Sequence, residues 1–286
     1  MANTVSIGNC GEYFVAAELE RNGFTAAVPM SNTKSFDVLA INQKNNKQIA
    51  LQVKTNHTSQ KTWTLSQKNE TLIGDDVYYV FVCLNYGGAP DYYIMHSLIV
   101  AKSIALSHSN WLCGKIKDGK NRNDTNIRKF SFEIDKYNPY NLKDEDYKSN
   151  WQSLGKKYYD LTKFLPIFDA KSFGEWLVCD IGTAENEFFM PAVSYTKEVD
   201  NFASAVRMFI DDHPFLQNYQ NILNANNIET KIIKDIDVSN LDGDCVCAMI
   251  VVNVLAEKFC DGAILESCKN KTFVKWLERL KEIDEK

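Results

Sequence analysis

Four side chains in the first part of the sequence have the types and spacing for phosphodiester chemistry: Glu12, Asp37, Gln52 and Lys54. Gln52 and Lys54 lie two apart in the run IALQVK, so in an extended strand they share a face and Leu51 and Val53 take the other. Hydrolysis of a phosphodiester calls for a divalent cation that offsets charge and activates a water. Mg²⁺ suits this task with one or two carboxylates, waters and substrate phosphate oxygens around it. Asp37 and Glu12 offer the carboxylates, the Val53 backbone carbonyl offers a further ligand, and Lys54 can orient the water or stabilise charge on the phosphorus oxygens. Mg²⁺ or Mn²⁺ is the cofactor this set would take. Singly, the same residues have plainer uses: Asp37 as a strand-end turn acceptor, Lys54 as a solvated strand lysine, and Glu12 as a helix acid favoured by the dipole.

The elements that must bring them together are legible in part. Residues 8–22 read as a helix with Phe14, Val15, Ala17 and Leu19 on its apolar side and Asn22-Gly23 closing it. SFDVLAI (35–41) and IALQVK (49–54) read as a hairpin around the polar turn NQKNNKQ. WTL (63–65) follows as a short third strand, and SQKNETLI (66–73) as a short helix capped by Ser66. VYYVFVCLN (77–85) is almost continuously apolar, as in a central strand buried on both faces, and DYYIMHS (91–97) returns after the Gly87-Gly88 turn. Lys68, on the short helix, either faces the site and touches a phosphate or is an exposed helix lysine.

These motifs resemble the PD-(D/E)XK nuclease superfamily, whose pattern is a helix glutamate, a strand aspartate, and an acidic-x-lysine on the next strand. Here the pattern reads Glu12, then Phe36-Asp37, then Gln52-Val53-Lys54. GEYFVAAELERNGF is similar to the first helix of junction-resolvase-like and Mrr-like members. WTLSQKNETL, YYVFVCLN, DYYIMHSLIVA, WLCG and IRKF are similar to segments of bacterial members. The resemblance spans residues 5–152. It implies an α/β restriction-endonuclease-like domain, with a mixed central sheet flanked by helices, that cuts DNA as a metal-dependent endonuclease. It also implies catalytic roles for Glu12, Asp37, Gln52 and Lys54, with Glu12, Asp37, Gln52 and the Val53 carbonyl as metal ligands. DNA is favoured over RNA through the resemblance alone. Many nucleases of this fold cut two strands by dimerising, which makes a homodimer an expectation, although no coiled coil is visible. The departure is Gln52, an amide where the family usually has an acid, which lowers the expected metal affinity; Mrr-like relatives use the same Q-x-K. Some members of the superfamily have lost catalysis, so the alternative is an inactive module on this fold that binds nucleic acid or protein.

Residues 114–130 hold Lys115, Lys117, Lys120, Arg122, Arg128 and Lys129 against Asp118 and Asp124, in a Gly- and Asn-rich loop. Such a loop suits a nucleic-acid backbone, and it also suits a plain solvated surface. Trp63 and Trp111 read as packing aromatics. Charge divides the chain: residues 1–150 carry 17 Lys/Arg and 15 Asp/Glu, a balance of +2, and residues 151–286 carry 15 and 22, a balance of −7. The expected domains are 1–155 and 161–286, with the boundary in 152–163.

The second half reads as a smaller, mostly helical α+β domain. FGEWLVCDIG and EFFMPAVSYT form a hairpin, and 198–210 a helix with Val199, Phe202, Val206, Phe209 and Ile210 on one side. Residues 244–259 and 271–281 form two more helices, joined by the FCDGA turn. The stretch 161–286 resembles a bacterial family classed as a domain of unknown function. Asp242, Asp244, Glu257 and Asp261 are acids near helix ends, Asp242-Gly243-Asp244 reads best as a turn and cap, and the acidic surface fits a protein partner better than duplex DNA.

At 286 residues, 45% hydrophobic and 24% charged, with net charge −5, the chain can bury two cores and is no basic nucleic-acid coat protein. No apolar run reaches the roughly 20 residues of a membrane helix, and the N-terminus does not read as a secretory signal. The eight cysteines are scattered, without a C-x-x-C pair, and suit buried thiols in a reducing cytoplasm.

Overall fold

The computed structural model of the chain describes residues 3–29, 36–114, 122–180 and 189–286. It comprises two compact units, Met1–Gly155 and Lys156–Lys286.

The first unit is mixed α/β. Helix α1 (Thr4–Arg21) starts with the Asn3 side chain accepting from the Val5 amide and ends at Asn22, before Gly23 at φ +85°. Strands β1 (Phe24–Ala27), β2 (Val38–Asn42) and β3 (Gln48–Asn56) follow as an antiparallel meander. The turn between β2 and β3 is built from asparagine side chains: Asn42 Oδ1 accepts from the Lys44 amide and Asn45 Oδ1 from that of Lys47. Strand β4 (Thr62–Ser66) leads into a 3₁₀ turn, Gln67–Glu70, and then β5 (Val77–Cys83) pairs with β3 in parallel. Strand β6 (Asp91–His96) returns antiparallel to β5, helix α2 (Ser97–Cys113) follows, and β7 (Ile127–Ser131) comes last. The five-stranded mixed sheet has the order β1-β2-β3-β5-β6.

Alternation sorts side chains to the two faces of this sheet. On one, Val15 and Leu19 of α1 pack with Val38, Leu51, Val53, Tyr78 and Val80. On the other, Tyr79 and Phe81 pack with Val100 and Ile104 of α2 and with Trp63, Leu65 and Phe130. β5 is thus buried on both faces, as its apolar run predicts. β4 departs from expectation. It pairs with β7, more than 60 residues on, in a separate two-stranded sheet. Trp63 is core and donates from its indole to the Val82 carbonyl. α1 begins four residues before its predicted start, and Phe14 is exposed while Gly11, Val15 and Leu19 line the buried stripe. α2, β1 and β7 are elements the sequence pattern does not announce.

The second unit has a short helix α3 (Tyr159–Thr162), a hairpin of β8 (Gly174–Asp180) and β9 (Phe189–Tyr195), and α4 (Lys197–Asp212). Helices α5 (Tyr219–Ala225), α6 (Gly243–Ala256), α7 (Ala263–Lys269) and α8 (Thr272–Glu285) complete it. α6 is apolar all round and runs through the core. Val199, Phe202, Val206 and Phe209 share one buried face of α4, as predicted. The predicted FCDGA link between two helices holds instead the start of α7, and α5 is also additional. Asp242 caps α6 through the Cys245 amide. Cys83, Cys245, Cys247 and Cys268 are buried thiols, while Cys113 and Cys260 are exposed, which corrects the expectation for those two. No helix among the described residues is long and apolar enough to cross a membrane.

One glycine sets how closely α1 lies on the sheet. A Cβ on Gly11 would come within 1.9 Å of Thr55 Oγ1 on β3. Gly11→Ala gains helix propensity worth about 1 kcal/mol but overpacks this contact at a cost of roughly 1–3 kcal/mol. Chemical denaturation should show net destabilisation; a midpoint equal to or above that of the unsubstituted protein would contradict the contact.

Candidate functional site

Asp37 sits one residue before β2, its amide donating to the Leu51 carbonyl at 3.0 Å. This extends the hairpin and brings the carboxylate against the β3 backbone. Oδ2 accepts from the Val53 amide at 2.8 Å and from the Gln52 side-chain amide. Gln52 is buried, on the same sheet face as Lys54, in register with Tyr79 and Phe81 of β5. The shared face follows from the period-two alternation of β3.

Glu12 comes from the opposite side of the sheet. Gly11 lets α1 close on Thr55, and the next residue is then carried to the same part of β3. Its position shows in the electrostatics: burial, and after it the charge of Asp37, raise the Glu12 pKa, while Lys54 pulls it down. Burial lowers the Lys54 pKa; Asp37 works against that shift, Lys68 adds to it, and Glu12 again opposes it. Lys54 therefore feels the charges of Asp37, Lys68 and Glu12, and Glu12 feels those of Asp37 and Lys54.

The 3₁₀ turn that carries Lys68 is tied down on several sides. Asn69, buried, accepts at Oδ1 from the Ser66 amide and hydroxyl and donates to the Tyr79 hydroxyl at 2.9 Å. Burial pushes the Tyr79 phenol up to about 12. The Gln67 amide donates to Asn126, and Glu70 accepts from Arg128. Lys68 itself is exposed, yet close enough to act on Lys54.

Two features bear on metal ligation. Lys54 Nζ donates to the Val53 carbonyl at 3.2 Å, so that oxygen already has a partner. Gln52 turns its amide nitrogen, not its oxygen, to Asp37. It thereby fixes the carboxylate, a role its type does not reveal in sequence. Among the described residues there is no group of three or more His, Cys, Asp or Glu placed to hold a metal. The donors on offer are the two carboxylates with the amide and carbonyl oxygens beside them. These are hard oxygen donors, and the mutual repulsion of Glu12 and Asp37 is what a divalent cation relieves, so the residues fit Mg²⁺ or Mn²⁺.

The basic stretch divides. Lys115, Lys117 and Lys120 lie outside the described residues. Arg128 does not serve as a nucleic-acid contact: it is 3% exposed on β7, ion-paired to Glu70 and donating to the Thr125 carbonyl. β7 pairing with β4 buries it, which composition alone does not show. Arg122 donates to the Trp111 carbonyl at 2.7 Å and lies over the indole, 5.0 Å from the ring centroid, at the end of α2. Lys129 is exposed, its ammonium over the Tyr137 ring. In the second unit, Asp242 and Glu257 serve as caps. Glu257 accepts from Tyr195 and from the Gly262 and Ile264 amides, and Asp244 accepts from Lys157 and Tyr158.

Residues 154–286 match a family described as a family of unknown function (DUF6508). No curated protein and no solved structure matches the chain.

The lowered pKa of Lys54 has a sign that can be measured. Below the folded-state value the lysine is charged in both states and the burial cost is fully present. Between that value and the ordinary lysine pKa of about 10.4 the unfolded chain binds more protons, so stability rises with pH. Lys54→Met should therefore denature at a higher urea concentration than the unsubstituted protein at pH 7. Its advantage should narrow as pH climbs above the folded-state value toward about 10.4. A lower midpoint at pH 7 would show that the ammonium is a net stabilising group.

Proposed function

We propose that the chain is a divalent-metal-dependent nuclease, with a PD-(D/E)XK, restriction-endonuclease-like first unit and an accessory second unit. The observation that carries this reading is the convergence on β3 of two carboxylates and a half-buried lysine, from α1, the hairpin and the strand itself. A cluster that costs stability is expected at a site kept for chemistry. The mixed sheet, with β3 parallel to β5 and α1 across one face, is compatible with the family pattern.

Glu12 and Asp37 would hold Mg²⁺ or Mn²⁺, with the Val53 carbonyl and the Gln52 amide oxygen as the neutral donors nearby. When bound, the cation supplies charge neutralisation at the phosphate and a water of lowered pKa. Asp37 is kept aimed by two donors, the Val53 amide and the Gln52 side chain. Lys54, freed from the Val53 carbonyl by an incoming phosphate, places its ammonium on a non-bridging oxygen where negative charge grows. Lys68 lies outward of it and meets the neighbouring phosphate. Duplex DNA is the substrate this reading favours.

A second reading, a binding module without catalysis, is favoured by one feature: Gln52 gives its nitrogen to Asp37 and takes the place of a third acid. The two readings separate on supercoiled plasmid. Incubation with Mn²⁺ or Mg²⁺ should give nicked or linear product, and Asp37→Ala or Lys54→Met should lower the rate by about 100-fold or more. No cleavage by folded protein, with retained DNA binding, would favour the module; cleavage that survives Asp37→Ala would displace the site.

Metal affinity gives an independent check. A cation at ten times its Kd stabilises the folded chain by about 1.4 kcal/mol. A thermal shift with Mn²⁺ should therefore be present in the unsubstituted protein and absent in Glu12→Gln/Asp37→Asn. Equal shifts in both would place the cation elsewhere.

A further inference from the structure

The second unit contains a cavity of about 580 Å³ with no role in the site described above. Such a volume lies within the range of small-molecule sites. Its walls are Ile233, Val252, Ala256 and Leu265, with Trp176 beside them. Trp176 is 50% exposed, an unusual state for an indole, and it is seated against Gly262, where a Cβ would come within 2.5 Å of the ring. Gly262 has φ +85°, so both the backbone and the ring position require glycine there.

Asn253 is the decisive residue. It projects from the apolar helix α6 into this lining and is 4% exposed, yet its Oδ1 is buried without any hydrogen-bond partner. A buried amide left unpaired is costly, and nothing in the packing of α6 requires one. An asparagine amide presents a donor and an acceptor side by side, complementary to a lactam or aminopyrimidine edge. At the rim stand Lys231 and Lys269, neither ion-paired to a described residue, with the carboxylate of Asp261 also in the lining, whereas Lys234 is held by Glu266 at 2.5 Å.

We infer that this cavity binds a nucleotide. The planar base lies along Trp176 and the aliphatic wall, its hydrogen-bonding edge meets Asn253, and its phosphate meets Lys231 and Lys269. The planar ring accounts for the exposed indole, the base edge for the orphan amide, and the anion for two unpaired cations in an otherwise acidic unit. This inference does not depend on the nuclease reading.

The test uses the full chain carrying Asp37→Ala, in EDTA, so that the metal site cannot hold the ligand. Calorimetric titration with AMP, GMP, UMP and CMP should show saturable 1:1 binding of at least one. The matching nucleoside should bind more weakly, and inorganic phosphate should give no saturable heat. Asn253→Leu removes the orphan amide, so it should fold at least as stably and lose at least tenfold in affinity. Lys231→Glu/Lys269→Glu, on the exposed rim, should weaken the nucleotide at least tenfold and leave the nucleoside unchanged. Absence of binding by all four nucleotides at millimolar concentration would overturn the inference. So would binding that neither variant alters, or phosphate binding as tight as that of the nucleotide.

Discussion

The ammonium group of Lys54 is the constraint around which the first unit is arranged. Burial on β3 disfavours its charge, and Lys68 adds to the penalty. The carboxylates of Asp37 and Glu12 oppose it, and each has to be delivered by a separate element. Asp37 arrives through the β2–β3 hairpin and is anchored on the Val53 amide and the Gln52 side chain. Glu12 arrives because Gly11 allows α1 to close on Thr55. Lys68 arrives on a turn fixed by Asn69, Tyr79 and the buried Arg128–Glu70 pair. Taking one partner from a buried ion pair commonly costs about 3–5 kcal/mol, so Arg128 belongs to the scaffold that positions a cation near the site.

How much of this was legible in sequence depended on range. The β2–β3 hairpin, the two-faced burial of β5 and the shared face of Gln52 and Lys54 follow from local alternation and turn chemistry. The pairing of β4 with β7 is a contact across more than 60 residues, and nothing local in TWTLS announces its partner. Arg128 stands in a basic stretch that suits either a nucleic-acid backbone or a solvated surface, and β7 carries it into the core instead. α2 escaped notice because it is apolar on most sides, with weak periodicity in SLIVAKSIALSHSNWLC. α1 starts four residues before the apolar pattern does, where Asn3 caps it through the Val5 amide, and Gly11 lies within it at the contact with Thr55.

Residue type also misled where it was taken to fix a role. By type Gln52 is a weak metal ligand in an acid's place, and the geometry makes it first a donor that aims Asp37. In the second unit Asp242 caps α6, as its Asp-Gly-Asp setting predicts, and Glu257 gathers the amides at the start of α7. The informative residue there is neutral. Asn253 lies inside an apolar run, where sequence gives no hint that its amide is left without a partner beside a cavity.

The most direct measurement is a crystal structure of the protein grown with Mn²⁺, with the ion located by its anomalous scattering. The expected result is a peak bound by Glu12 and Asp37, with the Lys54 ammonium withdrawn from the Val53 carbonyl. A peak bound by other residues, or no peak with Lys54 still on that carbonyl, would contradict a metal site at β3.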